Sequence, residues 1–151
     1  MKNNRDNWIP ESVEEYRKYL INLHRKREET KTLNKTVKRK RKSLTLKERR
    51  QILKKTDSKC HICGGEIHGQ WQADHVLAYS GGGDHSIDNY LAAHSMCNNY
   101  RWDYLAEEFQ EILRLGVWLR TKIEQNTEVG KLAAIEFIKY ERRRLKRRKR
   151  E

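Results

Sequence analysis

Hydrophobic positions along this chain recur mostly at helical spacing, and only a central stretch breaks to another rhythm. Val13, Tyr16, Leu20 and Leu23 fall on one stripe, which predicts an amphipathic helix over residues 11 to about 30 with Pro10 near its start. Thr45-Leu46-Lys47-Glu48 has the form of a capping box and predicts a short helix to about Lys55. Further on, Leu105, Phe109, Ile112, Gly116, Leu119 and Ile123 alternate at spacings of four and three. That pattern predicts a long helix with a buried stripe, Gly116 marking a close crossing or a bend. Asn126-Thr127 interrupts it, and Glu128 to about Arg148 reads as a last helix whose apolar part, from Leu132 to Ile138, gives way to a basic tail.

Between residues 60 and 101 turn signals replace the helical period. Gly64-Gly65 marks a turn, and Ile67 to Val76 reads as a first strand ending near Asp74-His75. The loop Gly81-Gly82-Gly83 leads to a second strand near Tyr90-Leu91, and a short helix opens at His94. The expected organisation is α+β: an N-terminal helix and basic linker over residues 1–44, a small core over 45–102, and a C-terminal helical extension over 103–151. There is no internal repeat.

Composition narrows the picture. With 36% of its 151 residues hydrophobic and 36% charged, the chain has little with which to build a core, so a metal staple would matter to folding. No apolar run exceeds four residues, which excludes a membrane-spanning helix. All three cysteines lie in the central stretch, and no charged-then-apolar leader follows Met1-Lys2-Asn3-Asn4-Arg5. The expectation is a reduced, cytoplasmic protein without a signal peptide, not a secreted disulfide scaffold.

The net charge of +13 is unevenly placed. From Cys60 to Arg101 a single basic residue, Arg101, faces Glu66, Asp74, Asp84 and Asp88, so the flanks carry more than the whole surplus. An acidic spot within a basic surround suits a cation site that faces a polyanion. The runs Lys38-Arg39-Lys40-Arg41-Lys42 and Arg142 to Arg150 are suited to neutralising backbone phosphates, with a steep salt dependence.

The central stretch holds two interleaved sets of chemically able residues. Cys60 and Cys63, then His94 and Cys97, form two pairs with two residues between the members of each, the spacing by which a knuckle and a helix turn jointly clamp a tetrahedral zinc. His61 and His68 are alternatives to His94, although His61 sits between two ligands where its side chain would point away from their ion. Asp74, His75, Asn89 and Asn98 remain, a carboxylate, an imidazole and two carboxamides of the kind that a phosphodiester-cleaving site with one hard divalent ion would need.

In this order of residues the chain resembles the HNH nucleases. Asp74-His75 stands where that family has its Asp-His pair, Asn89 stands at the central Asn, and Asn98 directly follows the last cysteine as in the family's Cys-Asn. Two positions depart from the usual pattern. Ala78 occupies a place where the family often has Pro, and Tyr100-Arg101-Trp102 replaces a basic residue plus Gly; neither removes a group that does chemistry. The resemblance implies a zinc-bound ββα-metal core flanked by N- and C-terminal helices.

It also implies roles. His75 would be the general base, since a neutral imidazole accepts a proton from water. Asp74 and Asn98 would hold a catalytic Mg²⁺ or Mn²⁺, leaving positions for water and phosphate. Asn89 would hold the loop and orient His75. Arg101, one turn past Cys97, is a candidate phosphate clamp, and Lys38, Arg39, Lys40, Arg41 and Lys42 are candidates for nucleic-acid contact. Apart from the resemblance, His85 in the loop after the glycines is expected to be a solvated histidine, with contact to substrate or to a second metal as the alternatives. The expected function is metal-dependent hydrolysis of DNA, leaving 5′-phosphate and 3′-hydroxyl ends. The alternatives are a zinc-stabilised nucleic-acid-binding or assembly module that does not cut, and a nuclease subunit whose terminal helices dock a homodimer mate or a targeting partner.

Overall fold

A computed structural model describes residues 9–35 and 43–148. It divides into two compact units, residues 1–108 and 109–151. Among the described residues there are five α-helices and one two-stranded antiparallel sheet, a mixed α+β architecture. No described helix is long and apolar enough to cross a membrane. The run Lys38 to Lys42 lies outside the described residues.

In the first unit, α1 (Val13–Lys35) starts where the Ser12 hydroxyl accepts the backbone N–H of Glu15. Its inward face follows the predicted stripe from Tyr16 through Leu20, both half-buried, to Leu23. Val13 is exposed, Leu23 is buried, and beyond it the inward positions are Arg27, Lys31 and Asn34. The reason for this polar continuation is the surface the helix meets there: carboxylates and aromatic rings instead of an aliphatic core. Arg27 donates to Glu108 and Asp103 while its guanidinium stacks over Trp102 and Tyr104, and Asn34 Nδ2 donates to the Ser80 carbonyl. The helix also runs to Lys35, into the stretch expected to be linker.

The capping box forms as predicted. The Thr45 hydroxyl accepts the Glu48 N–H, the Glu48 carboxylate accepts the Thr45 N–H, and α2 runs from Leu46 to Lys55. Its Ile52 is fully buried against Tyr90 and Ala92, with Leu44, Leu53, Ile67, Trp71, Ala73 and Ile87 around them.

That small core sits on one face of the hairpin. β1 (Gln72–His75) pairs with β2 (Tyr90–Ala93) in the register Gln72 to Ala93, Ala73 to Ala92, Asp74 to Leu91 and His75 to Tyr90. The first strand is shorter than the expected Ile67–Val76, because residues 67–71 leave the ladder after an isolated bridge between Lys59 and Glu66. Strand alternation puts Ala73 and His75 on the side of Tyr90 and Ala92, and Gln72 and Asp74 on the other. α3 (Ser95–Arg101) serves that other side, Asn98 bonding Gln72 and Arg101 approaching Asp74.

The boundary between the units falls within α4 (Ala106–Glu124), which precedes α5 (Glu128–Arg148). Asn126, at φ 55°, makes the turn between them, and the Thr127 hydroxyl caps α5 through the Gly130 N–H. The stripe expected to be buried along α4 is open in part: Ile112 and Ile123 are 39% and 40% exposed, as are Leu113, Val117 and Trp118 to greater degrees. From Ile112 to Trp118 every residue of α4 is exposed, so the apolar stripe is not covered over these two turns. Gly116 lies within the helix with open space at its α-carbon, so it marks no close crossing. The close approach is at Gly130, where a Cβ would collide with the Lys122 carbonyl.

Candidate metal centres and the adjoining cleft

The knuckle begins with Cys60, whose N–H donates to the Gly65 carbonyl while its own carbonyl accepts the Gly64 N–H. Gly64 has φ 72°, a conformation that closes the turn at no steric cost for glycine. The next N–H, that of His61, donates to Ala92 and ties the knuckle to β2. His94 ends that strand and stands as the N-cap of α3, which carries Cys97 one turn on.

The result is a cluster of Cys60, Cys63, His94 and Cys97 whose ligand atoms all lie within 4.8 Å of one another. His94 Nδ1 is 3.4 Å from Cys63 Sγ and 3.8 Å from Cys97 Sγ. The nitrogen-to-sulfur edge of a tetrahedron around zinc is about 3.6 Å, so the donor set fits that ion. His94 Nε2 lies 2.9 Å from the Glu66 carbonyl, which takes the ring proton and leaves Nδ1 to face the sulfurs. Burial acts to raise the Cys60 thiol, but backbone N–H groups, chiefly that of His94, bring it down to about 6. Burial pushes Cys97 up to about 12. Thiols this close compete for one negative charge, and a dication lets all three ionise together. His68 is exposed beside Glu66, and neither it nor His61 belongs to the cluster.

Asp74, His75, Asn98 and Arg101 line one cleft of about 1040 Å³, together with Trp71, Gln72, Tyr79 and Tyr90 among others. Asp74 is 5% exposed. Its Oδ1 lies 3.5 Å from Arg101 Nη1, a loose contact, since the firmer bond of that guanidinium goes from Nη2 to the Val76 carbonyl at 2.7 Å. Asn98 Nδ2 donates to Gln72 Oε1 at 2.7 Å, which leaves the carbonyl oxygen of its amide as the group it can offer a cation. A carboxylate and a carboxamide oxygen on one cleft are a hard-oxygen donor set, and they fit Mg²⁺ or Mn²⁺.

Two contacts in this neighbourhood were not foreseen from sequence. His61 does turn away from the sulfur cluster, and what it reaches is Asp74: Nε2 lies 2.8 Å from Oδ2. His85, expected in solvent, is part-buried, with Nδ1 3.1 Å from His75 Nε2 and 2.9 Å from the Tyr90 hydroxyl. Its ring stacks on Tyr79 at 4.6 Å. The chain folds back here because Asn89 clasps the loop. Its Oδ1 accepts the Leu77 N–H, and its Nδ2 donates to the carbonyls of Leu77 and Asp84. Gly83 fits inside this clasp only without a side chain, since a Cβ would strike the Leu77 carbonyl. The bonds described for Asn89 thus go to the loop that carries His85, and not to His75 itself.

A sulfur-and-imidazole knuckle feeding a β-hairpin and a short helix, with a hard-oxygen cleft alongside, defines a compact metal-centred module. Residues 60–101 of it match the family model described as HNH endonuclease, and the Cys-Cys-His-Cys cluster is consistent with the zinc-stapled form of that family. No curated protein and no solved structure matches the chain.

Proposed function

We propose that the protein is a metal-dependent endonuclease that hydrolyses phosphodiester bonds of DNA. The observation that carries this reading is that Asp74, His75 and Asn98, separated by up to two dozen residues in sequence, line one cleft beside the zinc-type cluster. His75 accepts the proton of the attacking water. Asp74 and Asn98 hold one divalent ion, Mg²⁺ or Mn²⁺, which when bound supplies positive charge for the phosphorus oxygens and the departing 3′ oxygen. Arg101 adds a fixed cation at the cleft, and the exposed basic residues of α5, Arg142, Arg143, Lys146 and Arg147, suit backbone phosphates. Zinc at Cys60, Cys63, His94 and Cys97 holds the scaffold. Thiols committed to a metal cluster suit the reducing cytoplasm.

The test is cleavage of supercoiled plasmid by the full chain in Mg²⁺ or Mn²⁺. Removing a general base costs about 10²–10⁴-fold in rate, so His75→Ala should lose at least that much at unchanged zinc content. A His75→Ala protein that cuts at the rate of the parent rejects the assignment. A parent that binds plasmid but leaves it intact is a binding module instead.

A further inference from the structure

From the His75–His85 contact we infer that His85 is a positioning residue for hydrolysis: it accepts a hydrogen bond from His75 and thereby sets the tautomer and tilt of the base. The inference rests on the base role given to His75 above and goes beyond it.

A histidine takes a proton from water through one ring nitrogen only if the other already carries one. In His75 it is Nε2 that meets His85, at 3.1 Å from its Nδ1. With the proton of His75 on Nε2 and donated to His85, Nδ1 of His75 is the nitrogen with the lone pair. When water yields its proton to that lone pair, His75 becomes an imidazolium, and the Nε2–H bond to a neutral acceptor becomes charge-assisted and stronger. No proton moves on to His85. Its part is that of the group that orients the base in a nucleophile–base–orienter chain.

Three features of the structure place His85 for this part. Its ring stacks on Tyr79 at 4.6 Å and 16°, and the Tyr90 hydroxyl meets its edge, 2.9 Å from Nδ1. Its backbone is fixed on both sides: Asp84 Oδ1 accepts the N–H and hydroxyl of Ser86, and the Asp84 carbonyl is held by Asn89. Third, its Nε2 is buried without a hydrogen-bond partner. If Nδ1 accepts from His75, sharing its lone pair with the Tyr90 hydroxyl at 2.9 Å, the proton of His85 is on that Nε2, and a buried donor without a partner is a cost that a role at the other end of the ring would explain. Asn89 then acts on the base through the loop and His85.

Three variants of the zinc-loaded full chain separate this from a packing role. His85→Phe keeps the stack on Tyr79 without an acceptor, His85→Asn keeps an acceptor oxygen near the place of Nδ1, and His85→Ala removes both. Loss of a hydrogen-bond partner behind a working imidazole typically costs about 10–100-fold, so kcat should fall by that much in the Phe and Ala variants, with KM within about twofold, and recover in His85→Asn. Side-chain ¹⁵N spectra should show His75 protonated at Nε2 in the parent and in His85→Asn, and not in His85→Phe. Should His85→Phe keep both the parent kcat and the parent His75 nitrogen shifts, the inference is overturned. A parent that does not cleave at all would remove the base role, while the nitrogen shifts would still decide whether His85 sets the tautomer.

Discussion

At the scale of single residues, the donors of the sulfur cluster were legible in sequence and their neighbours were not. Cys60, Cys63, His94 and Cys97 declare themselves because two short spacings each fix two ligands on a turn, a local geometry that survives whatever the rest of the chain does. The partners of Asp74 and His75 depend on strand register and on a loop that folds back, and no spacing encodes those. His61 is the clearest case. Its position between two ligands correctly predicts that it misses the cluster, but its bond to Asp74 follows only once the knuckle is tied to β2. That bond takes up Oδ2 and leaves Oδ1, which has only the loose 3.5 Å contact with Arg101, as the oxygen an ion would meet. Partners behind a metal-binding carboxylate are typically worth about 10–100-fold in affinity, and His61→Ala should weaken Mn²⁺ binding by that factor with one zinc still bound. Titration calorimetry or the Mn²⁺ resonance signal reads it; equal affinities in parent and variant would show that Asp74 needs no such support.

At the scale of elements, the capping box, the two strands and the final helix follow from local signals, whereas the docking of α1 does not. Periodicity finds the helix and its apolar contacts as far as Leu23, but not the polar continuation of that face, which centres on Arg27. One guanidinium, 6% exposed, spans Glu108 through Nε and Asp103 through Nη1, and Lys31 bonds the other oxygen of Asp103. Removing one member of a buried charge group leaves the others unpaired, at a cost of about 3–5 kcal/mol. Arg27→Ala should lose that much stability in urea unfolding, and Arg27→Lys most of it, because a lysine has no fork to span two carboxylates. A loss below about 1 kcal/mol for Arg27→Ala would mean that α1 is held by other contacts. The same cluster sets an acid limit. Burial acts to raise the Asp103 carboxyl, but the hydrogen bond from Lys31 and the charges of Lys31 and Arg27 outweigh it and hold it below its ordinary value. A carboxyl so lowered adds stability that is complete above its unfolded pKa of about 3.9 and is lost as the pH falls through the lower folded one.

At the scale of the whole molecule the question is what holds residues 60–101 in shape, since the apolar core available to them is Ile52, Tyr90 and Ala92 with a shell of six side chains that are only partly buried. Burying one such side chain contributes about 1.5–3 kcal/mol, while ordering each residue costs about 1–2 kcal/mol in backbone entropy alone. A module with two four-residue strands does not balance those terms by apolar burial. A structural zinc contributes about 10–16 kcal/mol at neutral pH in small domains, enough to decide the outcome. With zinc in the cluster, the ion and the hairpin would fold as one event, since the four donors bracket the hairpin: Cys60 and Cys63 precede β1, and His94 and Cys97 follow β2. Withdrawing zinc with a strong chelator at neutral pH should abolish amide-exchange protection in β1, β2 and α3, and re-addition should restore it. Cleavage should vanish with the protection and stay absent however much Mg²⁺ is supplied, since Asp74 and Asn98 converge only when the hairpin and α3 are in place. A metal-stripped chain that kept its hairpin protected would show that protein contacts alone carry the fold, and the two metal centres would then be energetically independent.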